Sequence, residues 1–329
     1  MQVPTYKRLM LFSGPANCGL AEEIATHLGM KLGEVEVSSF ASSETYVRFA
    51  ESVRGKDAFV IQSASDPVDL HLMQHLIMID ALQRASAKRI TAVVPFFPYA
   101  RQDKKTLGRE PITARLVADF YEVAGVDRVL SVDLHTGQIQ GFFNVPFDHL
   151  TALPLLADYF AELIDDDFVV VTPDAGRVRL AEKWTQHMSE FAGRACQLAF
   201  LHKQRRHDVR NVSETRAVVG DVRDRVCVVV DDMIDTAGTL VRGAETLLEA
   251  GATEVYAAAT HAVLSDPATD RLKNSPIRQV VVTNTLPIPS EKMLDKLVVL
   301  SIAPTIASTI KAVFEEDSVS ELFHGENQA

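Results

Sequence analysis

The chain has 329 residues, of which 47% are hydrophobic and 23% charged, and its formal net charge is −11. This is the composition of a globular protein with ample core and room for two domains, and its acidic balance argues against a general nucleic-acid or membrane surface. No apolar run reaches the ~18 residues a bilayer span needs, the opening MQVPTYKRLMLFSG is too briefly apolar for a signal peptide, and Cys18, Cys196 and Cys227 have neither metal nor redox spacing, so the expectation is a reducing, cytoplasmic protein.

Along the chain, short Val/Ile-rich runs predict strands at 8–13, 58–62, 90–94, 128–132, 168–172, 197–201, 226–230, 255–260 and 279–283. Helical patterns separate most of them. In HLMQH, His71 and His75 share a helical face, but Leu72 stands where a zinc protease would carry its glutamate and no third ligand is near, so metal binding is not expected. EPITARLVADFYEVAG predicts a helix opened near Pro111 and stopped by Gly125, and GTLVRGAETLLEAGA one stopped at Gly251. Strand–helix alternation of this kind predicts an α/β fold, with mainly parallel sheets flanked by helices. Nine or more strands suit two such sheets. The break is expected near 150–154, after HTGQIQGFFNVPFDHL, giving domains 1–150 and 151–302, with a C-terminal helix in 303–324 packing back on the first. Asp165–Asp167 reads as a solvated turn.

In open parallel sheets, ligands bind beyond the carboxyl ends of the strands. Those ends are polar here: Asp133-Leu134-His135, Pro173-Asp174 and Asp231-Asp232. One acid at a strand end is ordinary capping, whereas several suggest a shared site. VVVDDMIDTAGTL is the most informative. Its segment Asp235, Thr236, Ala237, Gly238, Thr239 offers backbone N–H groups and two hydroxyls at a helix start, a cradle for a phosphate dianion that Gly238 lets approach closely. Asp231 and Asp232 can accept hydrogen bonds from vicinal hydroxyls. A phosphate on one side and a diol on the other describes ribose 5-phosphate; an acid-rich N-cap is the plainer alternative.

VVVDDMIDTAGTL also resembles the phosphoribosyl diphosphate motif of type I phosphoribosyltransferases and ribose-phosphate diphosphokinases. QSASDPVDLHLMQHLIMIDALQRASAKRITAVVPFFPYARQDKK, REPITARLVADF, DLHTGQIQGFF, VVTPDAG, VVTNTLP and SVSELF resemble the diphosphokinases over nearly the whole chain. The resemblance implies two tandem phosphoribosyltransferase-like domains, the first binding ATP and the second ribose 5-phosphate. It implies transfer of the diphosphoryl group of ATP to the 1-hydroxyl of ribose 5-phosphate, giving AMP and phosphoribosyl diphosphate for nucleotide, histidine and tryptophan biosynthesis.

By the same resemblance, Phe40, Ser42, Glu44, Arg101, Gln102, Asp103 and His135 bind ATP. His135 and Asp174 hold Mg2+, although an imidazole suits magnesium poorly and fits the ATP phosphates better. Lys203 and Arg205, in LHKQRRHDVRN, bring cations to the transferred group. Solvated surface is the plain alternative for each basic loop taken alone, and it is the usual reading for LHKQRRHDVRN. Arg109, Gln140, Asp148, Ser318, Ser320 and Phe323 match a regulatory site for phosphate and ADP, and the assembly implied is a homohexamer. Two departures stand out. FASSET carries Ser42 and Ser43 where the family has Asp and Gly, and Leu107 replaces a regulatory lysine. A nucleobase phosphoribosyltransferase and a non-catalytic regulatory relative are the alternative readings; the ATP segment and Lys203/Arg205 oppose the first, and only the Ser42-Ser43 change favours the second.

Overall fold

The computed structural model describes residues 8–164, 168–192, 196–204 and 215–320. It divides into two compact units: Met1–Thr151 with Thr285–Pro287 and Ser301–Ala329, and Ala152–Asn284 with Ile288–Leu300.

The first unit runs β1 (Leu9–Ser13), α1 (Cys18–His27), β2 (Val35–Ser39), β3 (Thr45–Phe49), β4 (Asp57–Ile61), α2 (Val68–Arg84), β5 (Arg89–Val94), α3 (Thr113–Ala124), β6 (Arg128–Val132) and β7 (Phe147–Leu150). Strands β1, β4, β5, β6 and β7 lie side by side in that order, all parallel. Their carboxyl ends therefore share one edge. Every residue of β4 is buried, as in a parallel strand covered on both faces. Helix α2 buries Leu72, Leu76, Ile79 and Leu82, one stripe at helical spacing. The His75 ring joins that core: Nδ1 lies 3.0 Å from the Tyr121 hydroxyl and Nε2 lies 3.1 Å from the Val60 carbonyl. Since the carbonyl only accepts, Nε2 carries the proton. His71 Nδ1 lies 2.8 Å from the Ser65 carbonyl, so both histidines of HLMQH are engaged by neighbouring polar groups.

The second unit runs α4 (Leu153–Leu163), β8 (Phe168–Thr172), α5 (Val178–Ala192), β9 (Gln197–Gln204), β10 (Thr215–Val219), β11 (Val226–Ile234), α6 (Gly238–Glu249), β12 (Glu254–Ala262), α7 (Ala268–Lys273), β13 (Val280–Thr283) and β14 (Leu297–Leu300). Its sheet has the order β10-β9-β8-β11-β12-β13-β14. Only β10 is antiparallel to its neighbour. The final helix, α8 (Ala303–Glu315), packs on α1 in the first unit.

The structure differs from the sequence reading in instructive places. β2 and β3 form an antiparallel hairpin, Ser39 opposite Thr45, where no strand was predicted. Val35 and Val37 alternate with Glu36 and Ser38 and are only half-buried, so no apolar run marks the pair. β7 and β14 are four residues each, and β7 carries Asp148 and His149, too short and polar to stand out. β11 extends to Ile234 because β12 pairs with it as far as Ala262. Asp231 and Asp232 therefore lie inside the strand rather than after Val230. The stretch 151–302 is also not continuous. Thr285–Pro287 belongs to the first unit, where the Thr285 carbonyl accepts from Ser63 Oγ at 2.6 Å and from Asn17 Nδ2 at 3.4 Å. Asp165–Asp167 lies outside the described residues.

Candidate active site

In the second unit the chain leaves β11 through Asp235–Ala237 and enters α6 at Gly238. Ala237 adopts the left-handed conformation, φ 57°, at the N-cap, where its methyl group makes no cap hydrogen bond. The start of α6 is the positive end of the helix dipole, which suits an anion. Gly238 itself has no unusual φ; what it supplies is space. A Cβ there would lie 3.1 Å from Arg271 Nη1 and 3.6 Å from Arg242 Nη1. Arg271 Nη1 also donates to the Thr236 carbonyl at 2.9 Å.

Just before this loop, the Asp232 N–H donates to Asp231 Oδ1 at 2.9 Å. Burial pushes the Asp231 carboxyl well above the usual carboxylate range, reinforced by the neighbouring Asp232 charge. Asp174 follows β8, is exposed, and accepts from the Gly176 N–H through Oδ1 at 2.8 Å. Lys203 lies on β9 opposite Arg216 of β10. Arg205 lies outside the described residues.

In the first unit, the turn of the β2–β3 hairpin carries Phe40, 57% exposed and edge-on to Tyr46 at 5.6 Å. Ser42 Oγ donates to Glu44 Oε2 at 2.7 Å, and Ser43 takes φ 71° to close the turn. Arg101 and Gln102 are exposed, and Gln102 Oε1 accepts from Thr113 Oγ1 at 2.5 Å. Asp103 is 5% exposed, and its Oδ2 accepts from Thr136 Oγ1 at 2.9 Å and from Gln138 Nε2. That carboxylate therefore ties the Arg101–Asp103 segment to the loop after β6. In that loop Asp133 has φ 36°, and the Leu134 N–H donates to His149 Nε2 at 2.9 Å, just ahead of half-buried His135.

The residues matched to regulation are spread out. Arg109 has φ 71° in an exposed loop beside Leu107, which is 71% exposed. The Glu110 carboxylate, held below the usual range by the Leu107 N–H and by Thr106, shapes that loop. Gln140 Nε2 donates to the Gly137 carbonyl at 3.0 Å. Asp148 pairs with Arg128 at 2.6 Å. Ser318 and Ser320 are exposed, and Phe323 lies outside the described residues.

Two family models match the chain: the N-terminal domain of ribose phosphate pyrophosphokinase over residues 9–125, and the phosphoribosyl synthetase-associated domain over residues 206–324. The ribose-phosphate pyrophosphokinase of Streptomyces coelicolor is 55% identical over 318 residues, covering 96% of each chain. That of Mycobacterium leprae is 55% identical over 321 residues, covering 97% of each. This chain belongs to the ribose-phosphate pyrophosphokinase family. A crystal structure of phosphoribosylpyrophosphate synthetase from Mycobacterium smegmatis matches with TM-score 0.88 and 54% identity, covering 94% of this chain and 100% of that one.

Asp235–Thr239 is contiguous in sequence, whereas the side chains that meet the candidate site segments are not. Arg177, Arg271 and His149 contact the site segments from elements distant in sequence, and no local pattern announces such partners. The Arg177 guanidinium lies 2.8 Å from Asp232 and 3.8 Å from Asp231.

Proposed function

We propose that the chain is a magnesium-dependent ribose-phosphate diphosphokinase of the cytoplasm. The observation that carries the reading is the glycine-opened start of α6 directly after the acid pair of β11, in a chain of this family. Phosphate seats on the backbone of the Asp235–Thr239 loop at the start of α6, and the Asp231 and Asp232 carboxylates accept from the ribose hydroxyls. ATP binds in the first unit, with exposed Phe40 offering a ring face to the base and Arg101 and His135 facing its phosphates. The sugar's 1-hydroxyl oxygen then attacks the β-phosphorus, the bond to the bridging α,β-oxygen breaks, and AMP leaves. Lys203 and Arg205 neutralise charge developing on the transferred group.

Asp174 fits magnesium, being an exposed hard carboxylate with one oxygen used by Gly176. His135 would be the weaker ligand. Bound magnesium would screen the polyphosphate charge and orient it; the residues described above do the rest.

We also infer a homohexamer responsive to phosphate and ADP. Leu116, Phe120 and Val123, with Ile112 just before them, leave an apolar stripe exposed along α3, Val123 to 84%, which a second subunit would cover. Incubation of the purified chain with ATP, ribose 5-phosphate and MgCl2 tests the activity. AMP and phosphoribosyl diphosphate should appear in equal amounts. Formation of ADP, or turnover only with a nucleobase and phosphoribosyl diphosphate, would refute it.

A further inference from the structure

We propose that Arg177 is a positioning residue for the sugar, holding the Asp231–Asp232 pair so that both carboxylates present acceptors to the ribose hydroxyls. The inference rests on the assignment of that pair to ribose 5-phosphate. β8 and β11 are adjacent and parallel, with Val171 opposite Val229, so the segment after β8 runs beside the acids of β11. Arg177 stands in that segment, in the short turn between Asp174 and α5. Its Nη2 lies 2.8 Å from Asp232 Oδ1 and its Nε 3.8 Å from Asp231 Oδ1. Asp232 is only 5% exposed and Arg177 20%, so the pair is little screened by water.

Two carboxylates on consecutive residues repel, and burial makes the charged form of each costly. A protonated carboxyl would offer a donor where a sugar hydroxyl needs an acceptor. The planar guanidinium opposes this with a hydrogen bond to Asp232 while its charge lies 3.8 Å from Asp231, whereas a lysine ammonium is a single point charge without that planar spread. A purely structural arginine would give a different signature on substitution: a lower melting temperature with no preference between substrates.

The test compares the native enzyme with Arg177→Met and Arg177→Lys. Expected for Arg177→Met is a KM for ribose 5-phosphate raised roughly tenfold or more, from loss of a charge-assisted contact. Its KM for ATP should stay within about twofold and kcat should change less than KM. Arg177→Lys should recover part of the loss. Direct titration of ribose 5-phosphate into the native chain and Arg177→Lys gives the answer even if Arg177→Met does not fold, and even if the native chain makes no AMP. Equal affinities in that titration, or a KM for ribose 5-phosphate unchanged in Arg177→Met, would overturn the proposal. An inactive native chain that still binds ribose 5-phosphate more tightly than Arg177→Lys would count against the diphosphokinase reading but support Arg177.

Discussion

His75 should make the first unit sensitive to mild acid. Its ring is fully buried, and burial lowers its pKa from the ordinary 6.5 to about 4, opposed only in part by the hydrogen bond to the Val60 carbonyl. Above pH 6.5 the ring is neutral in both the folded and the unfolded chain, and its contribution is fully present. As pH falls toward 4 the unfolded chain takes up a proton that the folded chain refuses, so stability is lost across that window. Each pH unit in the window costs about 1.4 kcal/mol, which makes about 3 kcal/mol in all and about 2 kcal/mol between pH 7.5 and pH 5. Substituting His75→Phe removes the titration. It also leaves the Tyr121 hydroxyl and the Val60 carbonyl without this partner, a pH-independent loss of about 1–3 kcal/mol. The diagnostic is therefore the pH slope, not the level. Trp184 lies in the second unit and does not report on this core. The assay is amide hydrogen exchange of β4 and α2 at the two pH values, corrected for intrinsic exchange. Openings in the native chain should become roughly thirtyfold more populated at pH 5, and those in His75→Phe much less so. Equal slopes in the two proteins would show that the ring is charged inside the core, against the geometry.

Three further outcomes are expected. Lys203→Ala should lower kcat by roughly 10²–10³-fold with a smaller effect on either KM, because a cation on the transferred group acts mainly in the transition state; steady-state kinetics would expose a role limited to binding if only KM moved. Asp174→Asn replaces an anionic ligand with a neutral amide, so the MgCl2 concentration for half-maximal activity should rise several-fold, and an unchanged magnesium titration would remove Asp174 from the metal site. Leu107, exposed beside Arg109, supplies no charge to an anion. Leu107→Lys should therefore shift the phosphate and ADP response curves to concentrations roughly tenfold lower, whereas curves that overlay would mean that no anion site uses this position.

The α/β class, most of the central strands and the turn at Asp235–Thr239 were legible in the sequence, because each depends on residues close together in the chain. A run such as Val226–Val230 is apolar enough to mark a parallel strand without further context. Asp235–Thr239 makes the turn that leads into α6. Tertiary structure decided the rest. The extension of β11 past Asp231 and Asp232 needed β12 as a pairing partner out to Ala262. The hold of Arg177 on those acids needed β8 beside β11. The insertion of Thr285–Pro287 into the first unit depends on Ser63 and Asn17, more than two hundred residues earlier. His75 likewise reads from sequence as one of two histidines on a helix face, and only enclosure by β4 and Tyr121 makes it a neutral core group. Local pattern records which face of an element is apolar. Which charged side chain meets another across strands, and how far water is excluded from it, is settled only when the sheet is assembled.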